Sequence, residues 1–345
     1  MKNSQASCDK KRRSFLKMSG ILGMSALATS LLPVERSEAL PFTSTEYKVT
    51  KTRLAMGTFV AITAIHSSRD EAENAIGLAF EEIDRLNNVL SRYKQSTAVS
   101  ELNAEGVLKN PSLEIQEMIG RSLYFHRQTA GAFDITVGPL IDLYKESFAK
   151  AQQPGDAEIK EVLQRIGSQH LRFEGSGIAM ARPGMSITLD GIGKGYVVDR
   201  ASEVLVQNGV TNHLINAGGD IRASGNAAKG RPWTIAIQDP NKHKDYPDII
   251  TMTDGAIATS GNYEIFYDRE KIFHHIVNSK TGHSPQFLTS ASITAKTVMD
   301  ADAMATAVFV MEPKDAMVFI ENQSESECFL IGEDKKIAKS SGWQV

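Results

Sequence analysis

The chain has 345 residues, of which 41% are hydrophobic and 23% are charged, and its formal net charge is -3. This composition is typical of a globular protein with one large or two medium domains, and it excludes a disordered or fibrous protein. The small net charge gives no reason to expect nucleic acid or an anionic membrane surface as the main partner.

The segment 1–39 is predicted to be an export signal, followed by a mature domain at 40–345. Arg12 and Arg13 precede an apolar stretch, and small residues end the segment at Ala39. This order is typical of an export signal, and the arginine pair is similar to a twin-arginine signal. A membrane anchor is the alternative, but the apolar stretch is short and rich in Gly, Ser and Ala. We therefore expect a periplasmic protein.

The first half of the mature chain combines strands with amphipathic helices. The β-prone, partly alternating residues of 49–65 predict one or two strands. Apolar residues recur at steps of three and four over 72–90 and again over 115–129, which indicates two helices, each with one buried face. The polar segment 152–156 is predicted to be a connector.

The second half is predicted to be mainly β. The segments "HLRFEG", "GIAMARP" and "SITLD" are interpreted as strands, and a glycine-rich turn and a helix follow them. Further strands flank Gly218 and Gly219, and Asp254-Gly255 is a hairpin signal. The chain closes with a helix and a hairpin. Adjacent hairpins with helices in separate blocks favour an α+β fold with antiparallel sheets over a doubly wound parallel sheet.

The helix predicted near the C-terminus, "VMDADAMATAVFVM", carries aspartates and a threonine in an apolar run. Burying an unpaired carboxylate is costly, so these residues need a partner. Asp302 and Thr306 are four residues apart and share one helix face, and their oxygen atoms suit Mg²⁺. Alternatively, the aspartates cap the helix and Thr306 bonds back to its own helix, without a metal.

Two further segments could carry chemistry. The segment "DGIGKGYVVD" places glycines and Lys194 between a predicted strand and a helix, where backbone N–H groups and a cation could hold a phosphate. It fits neither a Walker A motif nor a dinucleotide fingerprint, and a tight turn with an exposed lysine explains it equally well. The segment "FHHIVNSKTGHSP" offers a histidine as a general base, although surface or core histidines are the simpler interpretation.

Taken together and in this order, seven segments resemble the ApbE family, the FAD:protein FMN transferases. They are "AMGTFV", "LSRYKQSTAVSELN", "GAFDITVGPL", "GIGKGYVVD", "NAGGDI", "HHIVNSKTG" and "DADAMATA". The resemblance implies a duplicated T-fold-like α+β architecture with antiparallel sheets and packed helices. It also implies a reaction in which a Ser or Thr hydroxyl of a partner protein attacks FAD, FMN becomes a phosphoester on that side chain, and AMP leaves.

The resemblance also implies roles for individual residues. The family positions that contact FAD are Met56, Tyr93, Ala132, Phe133, Asp134, Lys194 and Ile276. The family positions that hold Mg²⁺ are Gly191, Asp302 and Thr306. His275 matches the histidine that activates the acceptor hydroxyl. Among these residues, Tyr93 and Phe133 have flat side chains that could stack on flat rings.

The sequence departs from the family pattern at two places. Many members have an aspartate where this chain has Thr188, and here the carboxylate stands two residues later, at Asp190. Two residues along a strand preserve the face, so either Asp190 replaces the usual aspartate or Thr188 binds FAD through its hydroxyl. The second departure is Asn278-Ser279, where Asp-Pro is common, and we expect the loss of proline to loosen that turn.

The leading hypothesis is a Mg²⁺-dependent transferase, which uses FAD as substrate. The alternatives are a Mg²⁺-dependent FAD pyrophosphatase and a periplasmic FAD-binding protein without catalysis. The expected partner is an acceptor protein with a Ser/Thr flavinylation motif, a membrane-associated redox subunit, and no nucleic acid is expected. The export signal makes the chain similar to the periplasmic members of the family, including those called NosX.

Overall fold

The computed structural model describes residues 36–41, 45–227, 230–240, 246–263, 267–268 and 273–343. The described strands are β1 (Arg36–Pro41), β2 (Tyr47–Ala55), β3 (Thr58–His66), β4 (Val107–Lys109), β5 (Leu171–Glu174), β6 (Gly177–Met180), β7 (Asn212–Ala217), β8 (Asp220–Ser224), β9 (Trp233–Ala236), β10 (Ile249–Met252), β11 (Gly255–Gly261), β12 (Leu288–Ala295), β13 (Glu327–Gly332) and β14 (Ile337–Lys339). The described α-helices are α1 (Arg69–Leu90), α2 (Ala98–Glu105), α3 (Leu113–Gln128), α4 (Gly138–Ala149), α5 (Asp156–Leu163), α6 (Gly193–Gln207), α7 (Val298–Val310) and α8 (Pro313–Glu321).

A nine-stranded sheet organises the described residues, in the order β1-β2-β3-β7-β8-β11-β12-β13-β14. Every neighbouring pair in it is antiparallel, which confirms the prediction of an α+β fold with antiparallel sheets. A two-residue turn, Met56-Gly57, joins β2 to β3, and Gly218-Gly219 joins β7 to β8. All four turn residues have positive φ, as the tightest hairpin turns require.

The two faces of this sheet are covered differently. Helices α1, α6 and α7 pack on one face, and their apolar residues form the main core with those of β3 and β12. The hairpin of β9 and β10 covers part of the other face, where its isoleucines pack against Ile221, Ile257 and Phe329. The predicted helices at 72–90 and 115–129 are confirmed as α1 and α3, because the apolar period of each matches its buried face.

Helices α6 and α7 approach each other unusually closely. A Cβ on Gly195 of α6 would stand only 2.6 Å from the Val298 carbonyl carbon and 2.7 Å from the Met299 Cα of α7. Asp199, one turn further along α6, accepts the backbone N–H groups of Val298 and Met299 at 3.0 and 2.9 Å. These bonds satisfy two N–H groups that a helix start leaves without an intrahelical partner, so α6 fixes both the position and the start of α7.

Two predicted β features are wrong. The segment "SITLD" is not a strand, because its backbone bonds go elsewhere: Ile187 exchanges two hydrogen bonds with the Asn103 side chain, and the Thr188 N–H reaches the Ile135 carbonyl at 2.8 Å. Asp254-Gly255 does not join a hairpin, since β10 pairs with β9 while β11 pairs with β8 and β12. It connects two sheets instead.

The predicted export signal lies mostly outside the described residues. Its last four residues belong to β1, which pairs with β2 from Arg36 opposite Thr52 to Pro41 opposite Tyr47. Cleavage after Ala39 would therefore leave two residues of this strand. None of the described helices is long and apolar enough to cross a membrane.

The contact between α6 and α7 predicts that even a methyl side chain at position 195 destabilises the fold. Gly195→Ala should lower the free energy of unfolding by about 2 kcal/mol or more, because backbone atoms of α7 would have to move. Gly77→Ala is the matched control: this glycine lies inside α1 with no atom within 4 Å of the added Cβ, so alanine should stabilise by up to about 1 kcal/mol. Urea unfolding of both variants measures the difference. Equal stability of wild type and Gly195→Ala would contradict the close packing.

Candidate active site

Two carboxylates and one lysine meet at the start of α6. The Nζ of Lys194, the second residue of this helix, lies 2.8 Å from Oδ2 of Asp220, the first residue of β8. The Asp220 side chain is 2% exposed and that of Lys194 is 33% exposed. The ammonium group is thus held by a buried partner at the end of the helix whose dipole attracts anions.

Asp302 of α7 faces the same helix start. Its Oδ2 accepts the backbone N–H of Gly195 at 3.1 Å, and the residue is 5% exposed. Burial raises the pKa of Asp302 well above its ordinary value, and the negative charge of Asp220 adds to this effect, while Lys194 and the Gly195 N–H oppose it. The ionised form of such a carboxylate is favoured by a nearby cation.

Thr306 follows Asp302 by one helical turn and faces the glycine-rich segment before α6. A Cβ on Gly191 would stand 2.9 Å from the Thr306 Oγ1, so the backbone comes this close because residue 191 has no side chain. The Ser260 Oγ of β11 lies 3.4 Å from the same Thr306 atom. The three predicted metal positions are therefore neighbours, and their carboxylate, hydroxyl and backbone carbonyl are the oxygen donors that Mg²⁺ prefers.

Helix capping does not explain Asp302. The start of α7 is capped by Thr297, whose Oγ1 accepts the Asp300 N–H at 3.2 Å. The Asp300 carboxylate instead makes two hydrogen bonds to Arg121, at 2.7 and 2.6 Å. Across the ranges that the structure describes, no group of three or more His, Cys, Asp and Glu side chains is arranged to hold a metal ion, so a metal here would depend on hydroxyl and backbone donors as well.

Tyr93 and Asp190 form an open edge of the same site. The Tyr93 hydroxyl donates to Asp190 Oδ2 at 3.0 Å, and Lys145 donates to the Tyr93 hydroxyl at 3.2 Å. Tyr93 is 62% exposed. Thr188 is buried, and its Oγ1 accepts the Asp190 N–H at 3.3 Å. Because this segment is not a strand, positions 188 and 190 differ in exposure, and only Asp190 presents its side chain at the surface.

The predicted FAD segment 132–134 follows a left-handed turn at Ala130 and Gly131. Phe133 is 2% exposed, and its ring packs edge-on against Phe125 at a centroid distance of 6.2 Å. Its ring is therefore engaged in the core, unlike that of Tyr93. Ala132 is partly buried against the same core.

Asp134 is paired within the protein. Its Oδ1 accepts hydrogen bonds from the Thr136 N–H and hydroxyl and from the Ser168 hydroxyl, at 2.8, 2.6 and 2.7 Å. Its Oδ2 lies 3.2 Å from the His126 Nδ1. Burial acts to raise the pKa of Asp134, but the bonds from His126, Thr136 and Ser168 hold it below its ordinary value. The aspartate thereby fixes the start of the short turn at 135–137.

Met56 packs against the main core, and Ile276 belongs to it. Met56 has a φ of 52° in the turn between β2 and β3 and is partly buried against that core. Ile276 is 7% exposed. The turn at Met56 lies beside the next hairpin, since the Thr58 side chain occupies the space that a Cβ on Gly218 would need. This contact links the predicted FAD position Met56 to the hairpin that carries Asp220.

The two adjacent histidines have different surroundings. His274 is fully buried, its Nε2 lies 3.0 Å from the Pro285 carbonyl oxygen, and burial lowers its pKa. His275 is only half-buried, with its ring centroid 6.5 Å from that of His274. Of the pair, His275 is therefore the one whose ring can meet a substrate.

The turn after these histidines is closed by hydrogen bonds although it has no proline. Asn278 Oδ1 accepts the N–H groups of Lys280 and Thr281 at 2.8 and 3.2 Å. The Ser279 hydroxyl donates to the Gly131 carbonyl at 2.7 Å. Asn278 and Ser279 thus close the turn and attach it to the segment that precedes Phe133, in place of the rigidity that a proline ring would supply.

Sequence reasoning gave no role to Asp220 or Asp199, and both prove central to the site. Asp220 binds Lys194, and Asp199 fixes α7. A signal for Asp220 was available, since it directly follows the Gly-Gly turn of a predicted hairpin. Asp199 falls at the end of the "DGIGKGYVVD" segment, but nothing in that pattern shows that its partners are backbone groups about a hundred residues away.

The sequence and the fold of the chain match those of one protein family. The profile of the ApbE family matches residues 56–330. The FAD:protein FMN transferase of Vibrio cholerae is 30% identical over 276 residues, which cover 75% of this chain and 82% of that protein. The Treponema pallidum protein of the same name is 29% identical over 85% of this chain and 86% of its own length. The crystal structure of the ApbE protein from Thermotoga maritima superposes with a TM-score of 0.79, at 28% identity, and covers 85% of this chain and 97% of that chain.

The position of Asp199 predicts a pH-dependent stability. Burial raises the pKa of Asp199 from its ordinary value of 3.8 to about 6, partly offset by the N–H groups of Met299 and Val298. The folded state then binds the proton more tightly, so the contribution of Asp199 to the free energy of unfolding falls as pH rises from about 4 to about 6. Between pH 4 and pH 7, Asp199→Asn should gain up to about 3 kcal/mol relative to wild type.

Urea unfolding of wild type and Asp199→Asn at several pH values measures this change. Glu203→Gln, which removes an exposed carboxylate from the same helix, controls for the lost charge. A stability difference between Asp199→Asn and wild type that stays constant across this pH range would show that burial does not shift the proton affinity of Asp199.

Proposed function

The chain belongs to the ApbE family and is an FAD:protein FMN transferase, and we propose that the transfer takes place at the start of α6. The observation that carries this proposal is the convergence of the buried Asp302 and Asp220 carboxylates with the Lys194 ammonium at a helix N-terminus. A pyrophosphate suits this place, because the helix dipole, backbone N–H groups and an ammonium all attract it.

The proposed reaction joins FMN to a Ser or Thr hydroxyl of the partner protein. The acceptor oxygen forms a bond to the phosphorus on the riboflavin side of FAD, and the bond from that phosphorus to the bridging oxygen breaks. AMP leaves with the bridging oxygen, and FMN remains as a phosphoester. His275 takes the proton of the attacking hydroxyl, a role that requires hydrogen-bond reach, directly or through one water.

The donor set fits Mg²⁺ in this proposal. Asp302 would supply a carboxylate, Thr306 a hydroxyl and Gly191 a backbone carbonyl, and the close approach of Gly191 to Thr306 supports their grouping. When bound, the ion would neutralise negative charge on the pyrophosphate and polarise its oxygens. Lys194, whose ammonium group pairs with Asp220, would add a second positive charge.

The flavin and the rest of FAD would lie along the rim of this site. Tyr93 is the exposed aromatic residue there, beside Asp190, and its ring face can stack on a flat ligand. The other positions that family resemblance assigns to FAD are Met56, Ala132, Phe133, Asp134, Thr188 and Ile276. The ring of Phe133 and the carboxylate of Asp134 are occupied inside the protein, so any contact of theirs with FAD would come from the backbone or after rearrangement.

The order of elements supports a duplicated T-fold-like architecture. Strands β2 and β3 precede α1, and β7 and β8 follow α6. Strands β11 and β12 likewise precede α7 and α8, and β13 and β14 follow them. In chain order, each half thus includes a hairpin, at least one helix and a second hairpin, and the first half also carries β4, β5 and β6 among its helices.

The proposed acceptor is a membrane-associated redox subunit with a Ser/Thr flavinylation motif. We place the mature chain in the periplasm after twin-arginine export, as in the NosX-like members, and the support for this is the order of basic, apolar and small residues in 1–39.

A mass measurement tests the proposed function. The purified protein is incubated with FAD, MgCl₂ and a domain that carries a Ser/Thr flavinylation motif, and the mass of the acceptor is read beside the AMP released. We expect one FMN on the acceptor for each AMP, and neither product with EDTA. AMP and free FMN with an unmodified acceptor would indicate an FAD pyrophosphatase, and tight FAD binding without either product would indicate a binding protein.

His275 has a direct kinetic prediction. His275→Ala should lower the transfer rate by about 10²- to 10⁴-fold, the usual contribution of a general base, with little change in FAD affinity. His283→Ala, at an exposed position in the next turn, is the control and should transfer at the wild-type rate. Unchanged transfer by His275→Ala would remove this residue from the mechanism.

Asp302 has a prediction that concerns the metal. Asp302→Asn keeps the shape of the side chain and an acceptor for the Gly195 N–H but loses the charge. Its transfer activity should fall by more than the roughly 10- to 100-fold that is typical of residues supporting a metal ligand, and added Mg²⁺ should raise it only at much higher concentrations. Asp300→Asn makes the same chemical change on the same helix, where the carboxylate binds Arg121, and should keep its Mg²⁺ dependence. Full activity of Asp302→Asn at wild-type Mg²⁺ concentrations would exclude this ligand.

A further inference from the structure

Asp220 is a buried carboxylate that pairs with a lysine. It is 1% exposed as a residue, and its Oδ2 lies 2.8 Å from the Lys194 Nζ. A buried carboxylate needs a partner, because an unpaired charge is costly to bury. The partner is partly open to solvent, with 33% of the Lys194 side chain exposed, so the buried member fixes the exposed one.

The hairpin before Asp220 leaves this residue little freedom. Asp220 pairs with Ala217 across the turn between β7 and β8, and Gly218 and Gly219 have φ values of 67° and 103°. The Gly219 N–H also donates to the Asn216 Oδ1 at 3.0 Å. The carboxylate therefore stands on a rigid two-strand support, whereas a lysine side chain is long and flexible on its own.

The position of the Lys194 ammonium group depends on which of two nearby carboxylates it pairs with. Asp220 and Asp302 both lie near Lys194, and the lysine could approach either carboxylate. The hydrogen bond from Gly195 satisfies one oxygen of Asp302, while the ion pair joins Lys194 to Asp220. The ammonium is thus directed toward β8, while Asp302 is bound by a backbone N–H of α6.

We propose that Asp220 is a positioning residue that holds the Lys194 ammonium where it meets the phosphates of FAD, and keeps it away from the Asp302 carboxylate. Asp220 itself would not touch FAD. The inference rests on the proposed function, in which Lys194 binds FAD, and adds to it a second residue that acts only through the lysine. A structural role is the alternative, in which the ion pair merely stabilises the contact between α6 and β8.

A double-mutant cycle distinguishes the two roles. FAD affinity, followed by fluorescence titration, and the kcat and KM of FMN transfer are measured for wild type, Asp220→Asn, Lys194→Met and the double variant. We expect Asp220→Asn to weaken FAD binding or transfer by about 10- to 100-fold, as for other residues that orient a binding group. In the Lys194→Met background the same substitution should change neither FAD affinity nor transfer, because residues that act through one another are not additive.

A matched ion pair far along the chain supplies the control. Lys339 Nζ lies 2.7 Å from Asp248 Oδ2, with side-chain exposures of 35% and 6% that resemble those of Lys194 and Asp220. Asp248→Asn should lower stability in urea unfolding without changing FAD affinity. If Asp220→Asn binds FAD and transfers FMN as wild type does, or if its effect multiplies with that of Lys194→Met, the positioning role is wrong.

Three further outcomes are separated by the same measurements. Should Asp220→Asn fail to fold, Asp220→Glu replaces it in the cycle: the charge is kept but displaced by one methylene, and wild-type FAD affinity in that variant would overturn the proposal. A wild-type protein that binds FAD without transferring FMN would overturn the proposed function, while the binding cycle still decides the role of Asp220. Wild-type protein that does not bind FAD would overturn both.

Discussion

The site depends on how closely α6 and α7 approach each other. Gly195 has no side chain, so the backbone of α7 lies directly against it, and its N–H can reach the Asp302 carboxylate at 3.1 Å. Asp199 completes the contact by accepting the first N–H groups of α7. Any side chain at position 195 would separate the helices, and Asp302 and Thr306 would move away from the glycine-rich segment with them. The absence of a Cβ atom at Gly195 therefore helps to set the positions of the three predicted metal ligands.

The same contact concentrates negative charge in the protein interior. Asp302 is buried, and Asp220 lies near enough to raise its proton affinity further. The Lys194 ammonium and the Gly195 N–H oppose this charge, and Lys194 also pairs with Asp220. Buried negative charge of this kind is costly unless a positive charge or hydrogen bonds compensate it. In the proposed function, a pyrophosphate bound at this place would need positive charge, and the two carboxylates would help to hold a cation there.

Segments from distant parts of the chain supply the rest of the site. Where the sequence departs from the family pattern, the residues present make hydrogen bonds through their side chains. Asn278 and Ser279 close a turn that lacks proline, and Ser279 ties it to Gly131. Asp190 reaches the surface beside Tyr93, while Thr188 is buried and used within its own turn. The residues that depart from the family pattern thus make defined contacts within this chain, and of positions 188 and 190 it is Asp190 that is exposed.

The sequence by itself determined the periodic elements and the residue types of the site. Apolar spacing located α1 and α3, the Gly218-Gly219 pair located one hairpin turn, and the order of seven segments indicated the family, because each of these signals is local in the chain. Tertiary structure decided the rest. It showed that "SITLD" bonds to Asn103 and Ile135 instead of a strand, that the Phe133 ring is buried, and that Asp220 holds Lys194. Such partners are separated by up to about a hundred residues, and which backbone group, side chain or charge they meet is fixed only when the sheet and helices pack, so no local pattern records it.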